Sequence, residues 1–239
     1  MSNQNKTALV TGGAKRIGSS ICIHLAEMGL DIAIHYHNSE SAARKTAKLV
    51  KSKGRRCEIF RADLSRPANA AKLVEKASRK MGGLSVLVNN ASVFRRSDFG
   101  KITERALEDD LAVNFKSPFF AAQAFARLTK KGLVVNIVDS RVTKNHTAHF
   151  AYNISKKCLY NFTFAAARSL APGIRVNAIC PGPIMKAAGT EEAAFEKIAR
   201  EIPLKKGGDT QHINLALEYL VKNSFVTGEA LLVDGGQHL

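Results

Sequence analysis

Short apolar runs alternate with longer amphipathic segments along the whole chain, and this alternation predicts a series of strands and helices. The apolar runs are continuous, as in Leu133 to Val138, which is typical of strands in a parallel sheet that is buried on both faces. The predicted strands cover residues 6–10, 31–36, 56–60, 84–89, 132–138, 174–179 and 230–233. The predicted helices cover residues 17–28, 39–53, 67–81, 103–115, 118–130, 152–170 and 210–222.

Strands that alternate with helices predict an α/β fold, here a Rossmann-like doubly wound parallel sheet of about seven strands flanked by helices. No Pro/Ser-rich linker, low-complexity stretch or internal repeat interrupts the 239 residues, so we predict a single domain over 1–239. In such a sheet, ligands bind outside the carboxyl ends of the strands. The motifs described next all follow predicted strands, which points to a site at that edge.

A glycine-rich turn follows the first predicted strand. Gly12, Gly13 and Gly18 lie between the apolar run that ends at Val10 and an amphipathic helix. Glycine lets the backbone approach a ligand closely, and a helix N-terminus offers unpaired N–H groups and the positive end of its dipole. The turn therefore predicts a site for a diphosphate, beside which Arg16 would place a fixed cation. An ordinary βα loop can carry the same glycines, so a second motif is needed.

The second motif is Tyr152 with Lys156, four residues apart in a predicted helix and therefore on one face. A nearby ammonium stabilises a phenolate, so we expect Lys156 to make Tyr152 a usable acid at neutral pH. Asp139 stands thirteen positions before Tyr152, at the end of a predicted strand. An ionised Asp139 offers only acceptors, which suits a substrate with N–H donors; a shielded, protonated Asp139 could instead act as an acid.

Together the two motifs resemble the short-chain dehydrogenase/reductase family, whose patterns are Thr-Gly-x-x-x-Gly-x-Gly and Ser…Tyr-x-x-x-Lys. Here Arg16 replaces the middle glycine and Asp139 replaces the serine. This pair of substitutions is similar to the pteridine reductase branch, which includes dihydromonapterin reductases. If the alignment is shifted by one position, Ser140 is the usual serine, and the resemblance is to a carbonyl reductase such as a 3-oxoacyl-carrier-protein reductase.

The resemblance runs from residue 6 to residue 239 and implies an NADPH-dependent reduction of a pterin or folate in a homotetramer. It implies a cofactor-binding half at about 1–130 and a catalytic and substrate half at about 131–239, with residues 184–201 as a substrate lid. The implied catalytic residues are Asp139, Tyr152, Lys156 and Asn114. The implied cofactor contacts are Gly12, Lys15, Arg16, Ile17, His35, Tyr36, His37, Asn38, Ser39, Asp63, Leu64, Asn90, Ala91, Ser92, Tyr152, Lys156, Pro181, Gly182 and Ile184. The implied substrate contacts are Arg16, Ser92, Phe94, Asp139, Tyr152 and Pro181.

The residues after the second predicted strand favour NADPH over NADH. NAD-binding sheets usually carry an acidic residue near this strand end to hold the ribose 2′-hydroxyl. Here His37, Asn38 and Ser39 precede the first carboxylate, Glu40, and each can donate a hydrogen bond to a 2′-phosphate. Residues 35–39 are close to the pteridine reductase pattern His-Tyr-His-Arg-Ser, with asparagine in place of arginine. Ser39 is also a good N-cap for the next helix.

The net charge of +16 leaves a second class of function open. Eight Lys and Arg residues lie between Arg44 and Arg61 and could contact nucleic-acid phosphates. They are interleaved with apolar residues at helix and strand spacing, however, and stacking aromatic residues are scarce there. We therefore interpret them as a solvated face, whose positive field would favour anionic ligands such as NADPH, and we do not expect a nucleic-acid partner.

The remaining composition indicates a cytoplasmic protein. Met1 to Lys6 is polar, unlike a signal peptide, and no apolar run approaches the roughly 20 residues that a membrane span needs. The four cysteines are widely spaced and show no metal-ligand pattern, so we expect free thiols and no bound metal.

Overall fold

The computed structural model describes residues 6–144, 148–186 and 191–239. Its seven strands are β1 (Thr7–Val10), β2 (Asp31–Tyr36), β3 (Cys57–Arg61), β4 (Val86–Asn89), β5 (Gly132–Ile137), β6 (Ile174–Pro181) and β7 (Ala230–Val233). Its α-helices are α1 (Arg16–Glu27), α2 (Glu40–Ser52), α3 (Ala68–Met81), α4 (Glu104–Leu111), α5 (Ser117–Leu128), α6 (Phe150–Leu170), α7 (Glu192–Glu201) and α8 (Thr210–Lys222).

All seven strands form one parallel sheet in the order β3-β2-β1-β4-β5-β6-β7. The chain first winds from β1 towards β3 and then crosses back to β4, which pairs with the other side of β1. The predicted Rossmann-like doubly wound sheet is therefore confirmed. The change of winding direction between β1 and β4 opens a crevice at the carboxyl ends of these two strands.

The side chains of each strand point alternately to the two faces of the sheet, and both faces are buried. In β1, Ala8 and Val10 pack with α1, α2 and α8, whereas Leu9 packs with α3, α5 and α6. The same alternation separates Ile32 and Ile34 from Ala33 in β2. Burial on both faces explains why the sequence shows these strands as continuous apolar runs.

Two helical features differ from the prediction. The helix predicted over 103–115 ends at Leu111 and continues as a π-helical turn, Ala112–Lys116. Helix α7, Glu192–Glu201, lies in the segment expected as a lid and was not predicted, since it is rich in charge and buries only Ala199. Residues 187–190 of that expected lid lie outside the described residues.

The sequence pattern also did not predict two short 3₁₀ turns, Phe99–Lys101 and Ser140–Thr143, because each is too short to show a periodic arrangement of apolar residues. Among the helices of the described residues, none combines the length and the apolar character needed to cross a membrane.

Candidate active site

A cleft of about 510 Å³ opens at the carboxyl ends of the strands, beside the crevice between β1 and β4. The residues that line it are Gly12, Lys15, Arg16, Ile17, Gly18, Asn90, Ala91, Ser92, Phe94, Ile137, Val138, Asp139, Arg141, Tyr152, Lys156, Pro181, Gly182 and Met185. Both sequence motifs therefore face one cavity, as expected for ligand sites in doubly wound sheets.

A second cavity, of about 700 Å³, lies at the opposite edge of the sheet, where strands begin. It is lined by Lys6, Asp31, Arg55 and Arg56 among others. Three of its charged groups are already engaged: Arg55 contacts Asp31 at 2.8 Å, and Arg56 donates to the carbonyl of Lys80 at 2.6 Å. Although this cavity is larger, the smaller cleft holds the acid, the phenol and the buried amine, so we assign the active site to the smaller one.

The glycine turn between β1 and α1 is held in place from both sides. Gly12 has a φ of +63°, and its N–H donates to Nδ1 of His35 at 3.0 Å. On the other side, Nδ2 of Asn90 donates to the carbonyls of Thr11 at 2.9 Å and Gly12 at 3.2 Å. A Cβ at Gly18 would lie 2.2 Å from the Gly12 carbonyl, so only glycine lets α1 approach the turn this closely.

His35 and Tyr36 do not present their side chains to the cleft, and their expected role as cofactor contacts stays a prediction. His35 is 2 % exposed, and its ring bonds with the Gly12 N–H and, at 3.1 Å, with the carbonyl of Ala62. Burial lowers the pKa of His35 to about 4, although the hydrogen bond to Ala62 opposes this shift. His35 therefore supports the glycine turn from below, and Tyr36 packs in the core.

The residues expected near a 2′-phosphate are accessible. His37 and Asn38 are exposed and Ser39 is half-buried. The next carboxylate, Glu40, is held by Arg44 at 2.6 Å, and the hydrogen bond from Arg44 lowers the pKa of Glu40. The region therefore presents several donors, and one further carboxylate, that of Asp63, lies 3.9 Å from Nε2 of His37. Ser39 stands at the N-cap position of α2 but makes no side-chain capping bond, so its expected capping role is wrong.

Leu64 and Ile184 contribute little side-chain surface to a ligand, whereas the side chain of Asp63 is 36 % exposed. The carboxylate of Asp63 accepts the N–H of Ser65 at 2.9 Å, and its hydrogen bonds with Ser65 lower its pKa. Leu64 and Ile184 are 5 % and 6 % exposed and pack in the core. Apolar burial directs both side chains inward, so the expected cofactor contacts of Leu64 and Ile184 stay predictions that their backbone would have to fulfil.

Asn114 lies in the π-helical turn, is fully buried and does not line the cleft. Its Oδ1 accepts from the hydroxyl of Ser92 and the N–H of Val93, both at 2.9 Å. Its Nδ2 donates to the carbonyl of Val93 at 3.1 Å and to Ser155 in α6 at 3.0 Å. Asn114 therefore joins the loop after β4 to α6, and its expected catalytic role stays a prediction.

Tyr152 and Asp139 meet in the cleft. The phenol of Tyr152 donates to Oδ2 of Asp139 at 2.8 Å. Arg141 binds the same carboxylate with its N–H at 2.8 Å and with Nε and Nη2, each at 3.1 Å. The hydroxyl of Ser140, in contrast, donates to Oε1 of Gln237 at 2.9 Å and is buried. The acid, and not the adjacent serine, therefore faces the phenol.

Lys156 is 2 % exposed and donates to the carbonyl of Ile137 at 2.8 Å, with its Nζ 5.8 Å from the Tyr152 ring centroid. Burial lowers the pKa of Lys156 to about 8. Burial, and then the charge and hydrogen bond of Asp139, raise the pKa of Tyr152 well above its usual value. The expectation that Lys156 makes Tyr152 a usable acid stays a prediction; in the protein alone, burial and Asp139 shift the pKa of Tyr152 upward, towards the protonated phenol.

Phe94 forms one wall of the cleft and is 39 % exposed. Its ring stacks on His149, with the centroids 4.0 Å apart and the planes inclined by 17°. It meets the ring of Tyr152 edge-on at 4.7 Å, and the guanidinium carbon of Arg141 lies 5.2 Å from its centroid. An aromatic surface thus borders the phenol and the carboxylate.

Arg16 joins the glycine turn to the segment after β6. Its φ is +55°, and its Nη2 donates to the carbonyl of Lys186 at 2.6 Å. Across the cleft, Pro181 ends β6, and a Cβ at Gly182 would lie 2.6 Å from the Cα of Asp234. Arg16 therefore spans the cleft from the turn to the start of the expected lid.

Sequence reasoning missed Arg141, His149 and Gln237. Arg141 follows Asp139 by two positions, a spacing that carries no recognised pattern. His149 contacts Phe94 across 55 residues of chain, and Gln237 contacts Ser140 across 97. Such contacts depend on how α6 and β7 pack, and no local pattern in the sequence reports them.

Residues 12–238 match the protein-family model described as enoyl-(acyl carrier protein) reductase. An uncharacterized oxidoreductase of Thermotoga maritima is 30 % identical over 99 % of this chain and 98 % of its own length. The 3-oxoacyl-[acyl-carrier-protein] reductase FabG of Staphylococcus epidermidis is 28 % identical over 98 % of this chain and its whole length.

Among solved structures, FolM alternative dihydrofolate reductase 1 of Brucella canis, complexed with NADP, is similar to this chain. The two are 35 % identical and superpose with a TM-score of 0.91, covering 98 % of this chain and 94 % of that one. The corresponding enzyme of Brucella suis, also with NADP, is 35 % identical with a TM-score of 0.94 over 98 % and 95 % of the two chains.

Proposed function

Since the chain belongs to the short-chain dehydrogenase/reductase family, we propose that it is an NADPH-dependent reductase of a pterin or folate. The candidate substrates are 7,8-dihydromonapterin, dihydrobiopterin and dihydrofolate, each reduced to its tetrahydro form, and oxidised pterins. The similarity to the two FolM structures supports this substrate class. The observation that carries the proposal, however, lies in the cleft itself.

That observation is the position of Asp139 against Tyr152. A carbonyl reductase needs a neutral donor beside the phenol to bind the substrate oxygen as it becomes an oxyanion. Here the phenol faces a carboxylate at 2.8 Å, and the hydroxyl of the adjacent serine, Ser140, is bonded to Gln237. A carboxylate that is bound by Arg141 repels an oxyanion and attracts N–H groups. The aminopyrimidine part of a pterin or folate carries such groups.

The residues of the cleft fit a dinucleotide cofactor. The turn from Thr11 to Gly18 brings the backbone and the N-terminus of α1 to the cleft, where Lys15 and Arg16 add two cations for a diphosphate. His37, Asn38 and Ser39 offer donors to a 2′-phosphate, and Glu40 is neutralised by Arg44. The NADP in the FolM structures supports NADPH as the cofactor. When bound, NADPH supplies a hydride for a ring carbon of a C=N bond.

Side chains of the cleft would hold and donate the proton that accompanies the hydride. Tyr152 holds a proton on Oη, and Asp139 orients that O–H bond. Lys156, with its pKa lowered to about 8 by burial, carries its charge at neutral pH behind the phenol. We propose Tyr152 as the proton donor to the nitrogen of the reduced bond. For a 7,8-dihydropterin, water held by Arg16 on the other face is the alternative donor, and the Tyr152 variant described in the Discussion separates the two.

A carbonyl reductase is the second candidate, because the FabG relative of Staphylococcus epidermidis is similar over the whole chain. This function would require Ser140 to leave Gln237 and turn into the cleft. Asp139→Ser tests the difference: it should impair dihydropterin reduction more than ketone reduction, since it removes the acceptor and restores the usual serine. An unchanged ratio between the two substrates would contradict the role proposed for Asp139.

The deciding experiment is NADPH oxidation by the purified protein with 7,8-dihydromonapterin, dihydrobiopterin and dihydrofolate in parallel. An acetoacetyl thioester serves as the carbonyl control and NADH as the cofactor control. We expect turnover of a dihydropterin or dihydrofolate and none of the thioester. Turnover of the thioester alone would overturn the proposal in favour of the carbonyl reductase. No turnover of either substrate would contradict both reductase functions and favour a basic protein of the same fold that binds nucleic acid.

We also propose a homotetramer. Strand β7 lies at an edge of the sheet, and Leu215, Tyr219, Phe225 and Leu232 in and beside α8 and β7 are exposed apolar side chains. Apolar groups that gather at a sheet edge are typical of a subunit interface. Light scattering after gel filtration measures the assembly directly, and a monomer at micromolar concentration would contradict this proposal.

A further inference from the structure

Arg141 already makes contacts that a bound pterin is proposed to make. The first is the fork of hydrogen bonds to Asp139, with Nε on Oδ1 and Nη2 on Oδ2, each at 3.1 Å. A guanidinium presents two parallel N–H donors to a carboxylate. The aminopyrimidine edge of a pterin is itself a cyclic guanidine with the same N–C–N arrangement. Both groups therefore fit the same two oxygens.

The carboxylate of Asp139 has no acceptor position left for a substrate. Its two oxygens offer about four lone-pair sites. Oδ1 accepts from the backbone N–H and Nε of Arg141, and Oδ2 accepts from Nη2 of Arg141 and from Tyr152. A substrate that donates two N–H bonds to Asp139 must first remove two of these four donors. The side-chain fork of Arg141 is the pair with matching geometry.

The second contact is with the aromatic wall. The guanidinium carbon of Arg141 lies 5.2 Å from the ring centroid of Phe94, within the range of a cation–π contact. Phe94 is the residue on which we expect a pterin ring to stack. Arg141 thus covers the expected stacking surface while it binds the expected hydrogen-bonding partner.

We propose that the side chain of Arg141 occupies the position of the substrate's aminopyrimidine edge and that this edge displaces Arg141 on binding. This inference rests on the proposed function. The side chain of Arg141 is 28 % exposed and therefore borders solvent into which it can swing. Its backbone N–H bond to Oδ1 is independent of the side chain and can keep Asp139 in place. Arg141 would then favour substrates that carry two parallel N–H donors. A simple ketone has no such donors and cannot replace the two hydrogen bonds that are lost when Arg141 leaves Asp139.

The test is the affinity of biopterin for the protein saturated with NADP⁺, measured by quenching of pterin fluorescence, because this complex cannot react. Displacement lowers the apparent affinity of wild type, so Arg141→Met should bind biopterin about three- to tenfold more tightly. Arg141→Lys, which cannot form the fork, should lie between the two. Arg95→Met is the matched control, because Arg95 pairs with Asp109 and Asp110 rather than Asp139, and it should change the affinity little.

A small guanidinium provides a second readout that loss of structure alone would not produce. Methylguanidinium should compete with biopterin in Arg141→Ala, where the fork position is empty, and should leave wild type unaffected. If Arg141→Met does not fold, judged by circular dichroism and NADPH binding, Arg141→Gln takes its place.

Weaker or unchanged biopterin binding in the Met variant, or no competition by methylguanidinium, would overturn the inference. Wild type that reduces no pterin or folate would instead overturn the proposed function, so the two failures are distinguishable.

Discussion

The chemistry of the cleft depends on four buried or half-buried side chains whose charges are coupled. Burial and then Asp139 raise the pKa of Tyr152, and burial lowers the pKa of Lys156 to about 8. At Arg141, burial opposes the upward shift of the pKa that Asp139 causes. In the protein alone, Tyr152 is therefore protonated and lies beside a carboxylate that Arg141 binds. We propose that this phenol acts as the general acid.

Tyr152→Phe tests that role. Removal of the hydroxyl should lower kcat for dihydropterin reduction by about 10²-fold or more, the usual contribution of a general acid, while NADPH affinity changes little. Steady-state kinetics and NADPH fluorescence titration measure the two quantities. Should kcat survive in this variant, water held by Arg16 would be the proton source, and Arg16→Met would then have to remove the activity.

His35 should make the fold sensitive to acid. Its pKa is about 4 in the folded protein against 6.5 in the unfolded chain, so between these values the unfolded state binds more protons and stability falls as pH falls. The loss reaches roughly 3 kcal/mol at pH 4. His35→Gln should be less stable at pH 7 but lose less on acidification, as urea unfolding at pH 7, 5.5 and 4.5 would measure. Parallel stability curves for the two proteins would contradict this assignment.

At the scale of elements, the turn between β1 and α1 shows how local and distant contacts combine. The glycines permit the turn, but its position is fixed by His35 from β2 on one side and Asn90 from the loop after β4 on the other. The positive φ of Arg16 directs the chain into α1 directly after the turn. Three neighbouring elements therefore determine a site that the sequence displays as one short motif.

Gly18→Ala should disturb this turn. Its Cβ would lie 2.2 Å from the Gly12 carbonyl and 2.6 Å from Nδ2 of Asn90, so the turn or α1 must move. We expect a loss of about 1–3 kcal/mol in the free energy of unfolding, the usual result of overpacking, together with weaker NADPH binding. Gly100→Ala is the matched control, since nothing lies within 4 Å of its Cβ and its φ is not positive. Equal behaviour of the two variants would show that the turn is not closely packed.

At the scale of the whole molecule, the net charge of +16 surrounds an active site that is built for anions. Strand β3 is an edge strand, and the exposed faces of α2 and α3 beside it carry most of the nearby cations. The basic surface thus has an electrostatic use, because its positive field attracts anionic ligands.

The electrostatic use predicts a salt-dependent association with NADPH. The association rate should fall several-fold between about 20 mM and about 300 mM salt, because the Debye length shortens, whereas the dissociation rate should change much less. Stopped-flow fluorescence measures both rates. Lys48→Glu, on the exposed face of α2, should reduce the association rate and its salt dependence, and rates that are insensitive to salt would exclude steering.

Much of this protein could be predicted from sequence because its signals are local. Continuous apolar runs identified all seven strands, and β2 and β7 have the predicted bounds. The glycines at the turn and the four-residue spacing of Tyr152 and Lys156 indicated the chemistry. A continuous apolar run indicates a strand that is buried on both faces of the sheet, and a four-residue spacing places two side chains on one face of a helix. Both signals can be recognised without knowing which distant residues pack against them.

Only the tertiary structure decided which of these residues face the cleft. It placed Asp139 on Tyr152 and bonded Ser140 to Gln237, turned His35, Leu64 and Ile184 inward, and brought Arg141 onto both Asp139 and Phe94. The physical reason is that side-chain direction and hydrogen-bond partners follow from the packing of distant segments. The sequence by itself determined the sheet, the motifs and the class of chemistry, and the packing determined the geometry with which they act.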